Sequence, residues 1–152
     1  MSSKLKKMAR STHAGAVQHG PVTEIKNDNQ FRNLVGGAEG PVVVDFWAPW
    51  CQPCKLMAPV FEAAARDWSG QARFVKVNTE ATPSLARALQ ITSIPTLLVF
   101  LDGEVVDTRV GLAPKAQLDA MVRRAVDKRS GVGLIDKLKR WAGKEQPAAA
   151  ES

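Results

Sequence analysis

The sequence predicts an α/β fold, a central mixed five-stranded sheet flanked by four helices. Three observations carry that prediction. Strand-like and helix-like stretches alternate along most of the chain. Two of the strand-like runs, after Pro41 and from Thr96, are too uniformly apolar to face water and suit buried central strands. Asp102-Gly103 then joins the last two strands with a hairpin signature, so the sheet ends antiparallel.

The elements follow in the order β-α-β-α-β-α-β-β-α, without an internal repeat. Val22 to Ile25 predicts a short edge strand. Asp28 is the expected cap of a first helix that carries Phe31, Leu34 and Val35 on one face and stops at Gly36-Gly37. Pro41 opens the apolar run Val42-Val43-Val44-Asp45-Phe46-Trp47. From about Cys51 to Trp68 a long helix is expected, with Leu56, Val60, Phe61, Ala64 and Trp68 as its apolar stripe. Pro53 is tolerated in the first turn, whereas Pro59 lies inside and should kink the helix. Arg73 to Asn78 alternates as a strand, and Thr82-Pro83 caps a short helix through Leu89. Thr96 to Leu101 and Glu104 to Val110 form the hairpin, which Gly111 ends. Pro114 starts a last helix with Leu118, Met121, Val122 and Ala125 at i, i+3, i+4 and i+7.

At 152 residues the chain has room for one domain with a real core. Residues 22–128 are the expected folded unit, residues 1–21 a flexible basic arm, and residues 129–152 a C-terminal extension. The net charge of +6 invites a nucleic-acid reading. Residues 21–128, however, hold twelve basic and twelve acidic side chains, so the excess sits in the two ends. A folded part without net charge argues against nucleic-acid binding. In the extension, Leu134, Leu138 and Trp141 fall opposite Lys137 and Arg140. This could form a short amphipathic helix for a membrane surface or a partner groove; docking on its own domain, or disorder, is the preferred reading. No run is long enough to span a bilayer. Lys4, Lys6, Lys7 and Arg10 are followed by no apolar signal core, so the expected location is the cytoplasm.

The chemistry concentrates in Cys51-Gln52-Pro53-Cys54. Cysteines at i and i+3 of a helix have Cα atoms ~5 Å apart, inside the disulfide-compatible range. Such a pair can open and close with little backbone movement. Cys51, at the helix N-terminus, faces unpaired N–H groups and the positive end of the dipole. Both stabilise a thiolate, the attacking species in disulfide exchange. Cys54, one turn in, should be the more buried, resolving thiol. The competing reading is half a zinc site, but a tetrahedral site needs four ligands and the only other soft candidates are His13 and His19 in the flexible arm, while a cluster shared between two chains needs a dimer. Asp45 interrupts a buried strand just upstream. Burial should raise its pKa and make it a proton acceptor, unless a nearby base such as Lys76 merely satisfies it.

From Val44 to Lys55 the chain reads Val-Asp-Phe-Trp-Ala-Pro-Trp-Cys-Gln-Pro-Cys-Lys, followed by Ala58-Pro59, Val75-Lys76-Val77-Asn78, Ile94-Pro95-Thr96, Asp102-Gly103 and Val110-Gly111. These motifs, in this order, resemble the thioredoxin family over about Val22 to Val126. The resemblance implies the thioredoxin fold and a disulfide reductase in which Cys51 is the nucleophile and Cys54 the resolving thiol of a redox disulfide. It implies that Asp45 is the buried acid assisting Cys54 and Lys76 its partner. Trp50 would flank the nucleophile and Trp47 pack beneath the site. Gln52 and Pro53 separate the cysteines, while Ile94 and a cis Pro95 would position an extended substrate segment. No bound cofactor is implied; electrons would come from an NADPH-dependent thioredoxin reductase and pass to disulfides of other proteins. The working unit is expected to be a monomer.

Phe46-Trp47-Ala48-Pro49-Trp50 and Val77-Asn78-Thr79-Glu80-Ala81 look most like bacterial thioredoxins with an N-terminal zinc ribbon. The ribbon's cysteine pairs are absent, so no zinc is carried over. Gln52 stands where the family's reductases usually carry glycine. That leaves open a less reducing dithiol, as in an oxidase or isomerase. A binding or holdase module without turnover is the other alternative, against which the retention of both cysteines argues.

Overall fold

The structure is a computed structural model that describes residues 21–130. The basic arm with His13 and His19, and the segment carrying Leu134, Leu138 and Trp141, lie outside the described residues. The elements are β1 (Val22–Ile25), α1 (Asp28–Phe31, continuing into a wide π-turn over Arg32–Gly36), β2 (Pro41–Trp47), α2 (Gln52–Asp67), β3 (Arg73–Asn78), α3 (Pro83–Ala88), β4 (Thr96–Leu101), β5 (Glu104–Val110) and α4 (Lys115–Ser130). They form one mixed sheet in the order β1-β3-β2-β4-β5. β3 runs parallel to both β1 and β2, while β4 runs antiparallel to β2 and β5.

The two-residue period of β2 divides the core. Val42, Val44 and Phe46 meet Ile25, Phe31, Val35, Val75, Val77, Leu85, Leu98 and Phe100 on one face. Val43 meets Met57, Phe61, Ala64, Trp68, Phe74, Leu97, Leu118, Met121 and Val122 on the other, beneath α2 and α4. Asp45, two residues from Val43, therefore points to the α2 face. The apolar runs expected to be covered on both sides are so covered: every residue of β4, and all of β2 but Trp47, is buried.

Some local expectations change. Asn27, rather than Asp28, caps α1: its side chain accepts from the Gln30 N–H at 2.8 Å, and Asp28 is the first helical residue. Both types suit a cap, and the extended backbone at Asn27 decides which serves. Leu56 is 59% exposed, and Met57 takes the core position expected of it. The buried stripe runs Cys54, Met57, Phe61, Ala64, Ala65 and Trp68, and Leu56 lies off that face. Thr82 precedes α3, but its hydroxyl donates back to the Asn78 carbonyl at 3.0 Å and does not cap the helix.

The β4–β5 turn has φ of 55° at Asp102 and 84° at Gly103, the pattern of a tight hairpin turn. Glycine meets that requirement without strain. Gly103→Ala is expected to cost about 1 kcal/mol, read as a lower midpoint in urea denaturation with an unchanged slope.

Candidate active site

The chain reaches the site along β2, turns through Ala48-Pro49-Trp50 and enters α2. Cys51 is the N-cap of that helix, with extended backbone (φ −85°, ψ 109°). Its N–H bonds to the Ala48 carbonyl at 3.1 Å, which fixes the turn. Its Sγ accepts from the Cys54 N–H at 3.2 Å. A sulfur thus occupies the place of a capping oxygen, against one of the helix's otherwise unpaired donors. Pro53 in the first turn removes a donor that would have had no helical partner.

Cys51 and Cys54 are disulfide-bonded, with Cα atoms 5.3 Å apart, as the helical spacing implies. The two are equally buried, each 3% exposed, so the expected difference in burial is absent. The physical reason is the cover over Cys51: Trp47 and Ile94 pack against the cluster of Ala48, Cys51 and Cys54. Gln52 and Pro53 are exposed beside the disulfide.

Asp45 lies beneath the helix start. It is 4% exposed, and its Oδ1 has no hydrogen-bond partner. Burial raises its pKa from 3.8 to about 7, and the charge of Lys76 on the neighbouring strand partly opposes the rise. A cavity of about 110 Å³ joins the two groups; Asp45, Cys54, Lys55, Ala58, Trp47 and Lys76 are among its walls. Lys76 faces Asp45 in strand register, and its Nζ lies 4.8 Å from the Trp47 ring centroid. Asp45, Lys76 and Cys54 thus share one small space. Asp45 Oδ1 has no hydrogen-bond partner, and Lys76 acts on the carboxyl through its charge.

The Ile94–Pro95 peptide is cis, as the resemblance implies, and Pro95 is buried while Ile94 packs toward the disulfide. The Gly111 N–H bonds to the Pro95 carbonyl at 2.8 Å, bringing the end of β5 alongside. Val110 and Leu112, 61% and 44% exposed, extend an apolar rim there. Trp50 is 64% exposed, and its indole N–H is held by the Glu80 carboxylate. The Trp50–Glu80 pairing and the role of Leu112 lie beyond the sequence reading. Glu80 is thirty residues from Trp50, and only the loop after β3 returns it to the site. No local signal pairs the two, since water can satisfy an exposed indole N–H.

Among the described residues, no group of three or more His, Cys, Asp or Glu side chains is arranged to hold a metal. No described helix is long and apolar enough to cross a membrane.

Comparison with known proteins agrees with this geometry. Residues 22–124 match the family model described as Thioredoxin. The chain is 50% identical over 91 residues to Thioredoxin 1 of Synechococcus elongatus, covering 60% of this chain and 85% of that one. It is 42% identical over 103 residues to the chloroplastic Thioredoxin M-type of Pisum sativum, covering 68% of this chain. The match spans 60% of the pea protein's length. Among solved structures, the thioredoxin of Malassezia sympodialis (Mala s 13) superposes with a TM-score of 0.63 at 34% identity, covering 68% of this chain and 89% of the other.

Proposed function

The chain belongs to the thioredoxin family and is a thiol–disulfide oxidoreductase, and from that premise we propose that the whole protein is a reductase of disulfides in other proteins. The observation that carries the reading is the Cys51–Cys54 disulfide at the N-terminus of α2, over a buried carboxyl whose Oδ1 has no hydrogen-bond partner.

In this mechanism the reduced Cys51 is the nucleophile. The helix N-terminus and the Cys54 N–H stabilise its thiolate. Attack on a target disulfide forms the Cys51–substrate mixed disulfide and expels the first target thiolate. Cys54, losing its proton toward Asp45, then attacks the Cys51 sulfur. The Cys51–Cys54 bond forms, the second target thiolate leaves, and the target has gained two electrons. The cavity between Asp45 and Cys54 is large enough for one bridging water in that proton path. Lys76 moderates the acid's charge. Trp50, Gln52 and Pro53 on one side and Ile94 and Pro95 on the other form the docking lips for an extended substrate segment, with Val110 and Leu112 as an apolar rim.

No bound cofactor takes part. A flavoenzyme reductase drawing on NADPH returns the dithiol form, the protein acts as a monomer in the 22–128 unit, and its compartment is the reducing cytoplasm. The test is a coupled assay: purified protein, NADPH, a thioredoxin reductase and insulin as disulfide substrate. Catalytic NADPH consumption dependent on the protein supports the reading. Stoichiometric consumption that stops after one equivalent contradicts it.

A further inference from the structure

The loop that leaves β5 is held at three successive residues. Gly111 turns the chain with φ of 96°, and its N–H bonds to the carbonyl of the cis Pro95 at 2.8 Å. The Leu112 carbonyl accepts from the Arg109 guanidinium, with Nη2 at 3.0 Å. Ala113 is buried with Leu97 and Leu118 in the core. Between these anchors the Leu112 side chain stays exposed, one residue from the contact with Pro95.

Arg109 reaches the loop because of its place in β5. In register it faces Leu97 of β4, and matched residues on adjacent strands project from the same face. Leu97 lies on the face that Leu118, Met121 and Val122 of α4 cover. The Arg109 side chain is half-buried there, and its Nε, shut off from solvent, has no hydrogen-bond partner among the described residues. The guanidinium is thus partly desolvated, which costs stability, and its bond to the Leu112 carbonyl has a charged donor, which strengthens it. Farther along β5, opposite Val99, Asp107 pairs with Arg124 of α4 at 2.9 Å. That ion pair also joins β5 to α4, but it does not touch the loop.

We propose that Arg109 is a positioning residue for substrate docking: bonded to the Leu112 carbonyl, it holds the loop after β5 so that the Leu112 side chain meets an apolar residue of the incoming substrate. The proposal rests on the reading of Val110 and Leu112 as the docking rim of a disulfide reductase. The favoured substrate is an extended segment with an apolar residue beside its cystine. Without the arginine the loop loses one of its anchors, so capture of such a segment weakens while the chemistry at Cys51 is untouched.

The experiment follows single-turnover rates of the reduced protein with two uncharged disulfides. One is a peptide with leucine beside each cysteine; the other is hydroxyethyl disulfide, which has no neighbouring residues to dock. Arg109→Met is expected to slow the peptide reaction about threefold, the scale of one net hydrogen bond, and to leave the small disulfide unchanged. Native-state hydrogen exchange of the Gly111 amide should quicken about tenfold in the same variant. In a Leu112→Ala background, Arg109→Met should bring no further loss with the peptide, because the side chain it positions is gone. Asp107→Asn, which breaks the other link to α4, is expected to leave both reactions unchanged.

Equal slowing with both disulfides overturns the proposal, as does a loss that persists in the Leu112→Ala background. Slowing by Asp107→Asn as large as by Arg109→Met also overturns it, since the effect would then be general packing of β5 on α4. Unchanged Gly111 exchange overturns the positioning role. If exchange quickens and the peptide rate does not fall, the positioning role stands and the docking role of Leu112 fails. An unsubstituted protein that reduces neither disulfide contradicts the reductase reading, and Gly111 exchange still decides the positioning.

Discussion

Cys51→Ser is expected to lower insulin-disulfide reduction by more than about 10³-fold, while Cys54→Ser leaves the first chemical step intact and stalls the protein as a mixed disulfide. The asymmetry follows from the places of the two sulfurs. Cys51 is the helix cap, its sulfur set against the Cys54 N–H, whereas Cys54 lies one turn inside the helix. A serine at position 51 can still cap α2, because a hydroxyl oxygen is a good acceptor there. Loss of activity in that variant would therefore reflect loss of the nucleophile and not of the fold. Serine at position 54 removes the thiol that would release the substrate. Mass spectrometry of Cys54→Ser after exposure to a disulfide substrate should find the substrate joined to Cys51. Equal activity losses without a trapped adduct would remove the order of attack assigned to the two cysteines.

Asp45→Asn is expected to stabilise the protein at pH 8 and to slow it. The folded-state pKa of about 7 lies above the ordinary carboxyl value of 3.8, so between those limits the folded protein holds a proton that the unfolded chain has released. Stability from this group is thus fully present below pH 4, declines as pH rises toward 7, and is flat above. The interval corresponds to roughly 4 kcal/mol, an upper bound on what the asparagine variant regains at pH 8. Urea denaturation at pH 8 and pH 4 should give a clear difference between variant and parent at the first and almost none at the second. The same substitution removes the proposed proton acceptor, and release of substrate at pH 7 should fall by about 10²-fold. A buried acid retained at a cost in stability is what a working group looks like. The same variant–parent difference at both pH values would mean that Asp45 is not the desolvated carboxyl described above.

Much of this was readable in the sequence because the strongest signals are local. The alternation in β3, the uniformly apolar β2 and β4, the Asp102-Gly103 turn and the Cys51–Cys54 spacing each depend on a few adjacent residues. The errors arose where two neighbours offer similar chemistry. Asn27 and Asp28 both suit a cap, and Leu56 and Met57 both suit a core, so one backbone angle or a turn of about 100° decides between them. The equal burial of the cysteines depends on Ile94, forty residues away in sequence from Cys54, folding over the site. Lys76 was anticipated beside Asp45, but the register of Glu24 with Lys76 was out of reach for a topological reason. It exists only because β3 inserts between β1 and β2, an order that chain sequence alone does not dictate. The Trp50–Glu80 pair likewise joins two loops that have no shared pattern.

The central claim is that Cys51 and Cys54 form a reversible, strongly reducing dithiol despite Gln52 between them. Equilibration of the protein in defined thiol–disulfide buffers, with thiol content and tryptophan fluorescence followed together, tests it most directly. The reference value for thioredoxins themselves, about −270 mV, sets the expectation for the midpoint. A midpoint close to the values of protein disulfide isomerase or DsbA, roughly −180 and −120 mV, would contradict a reductase and make this an oxidising or isomerising member of the family.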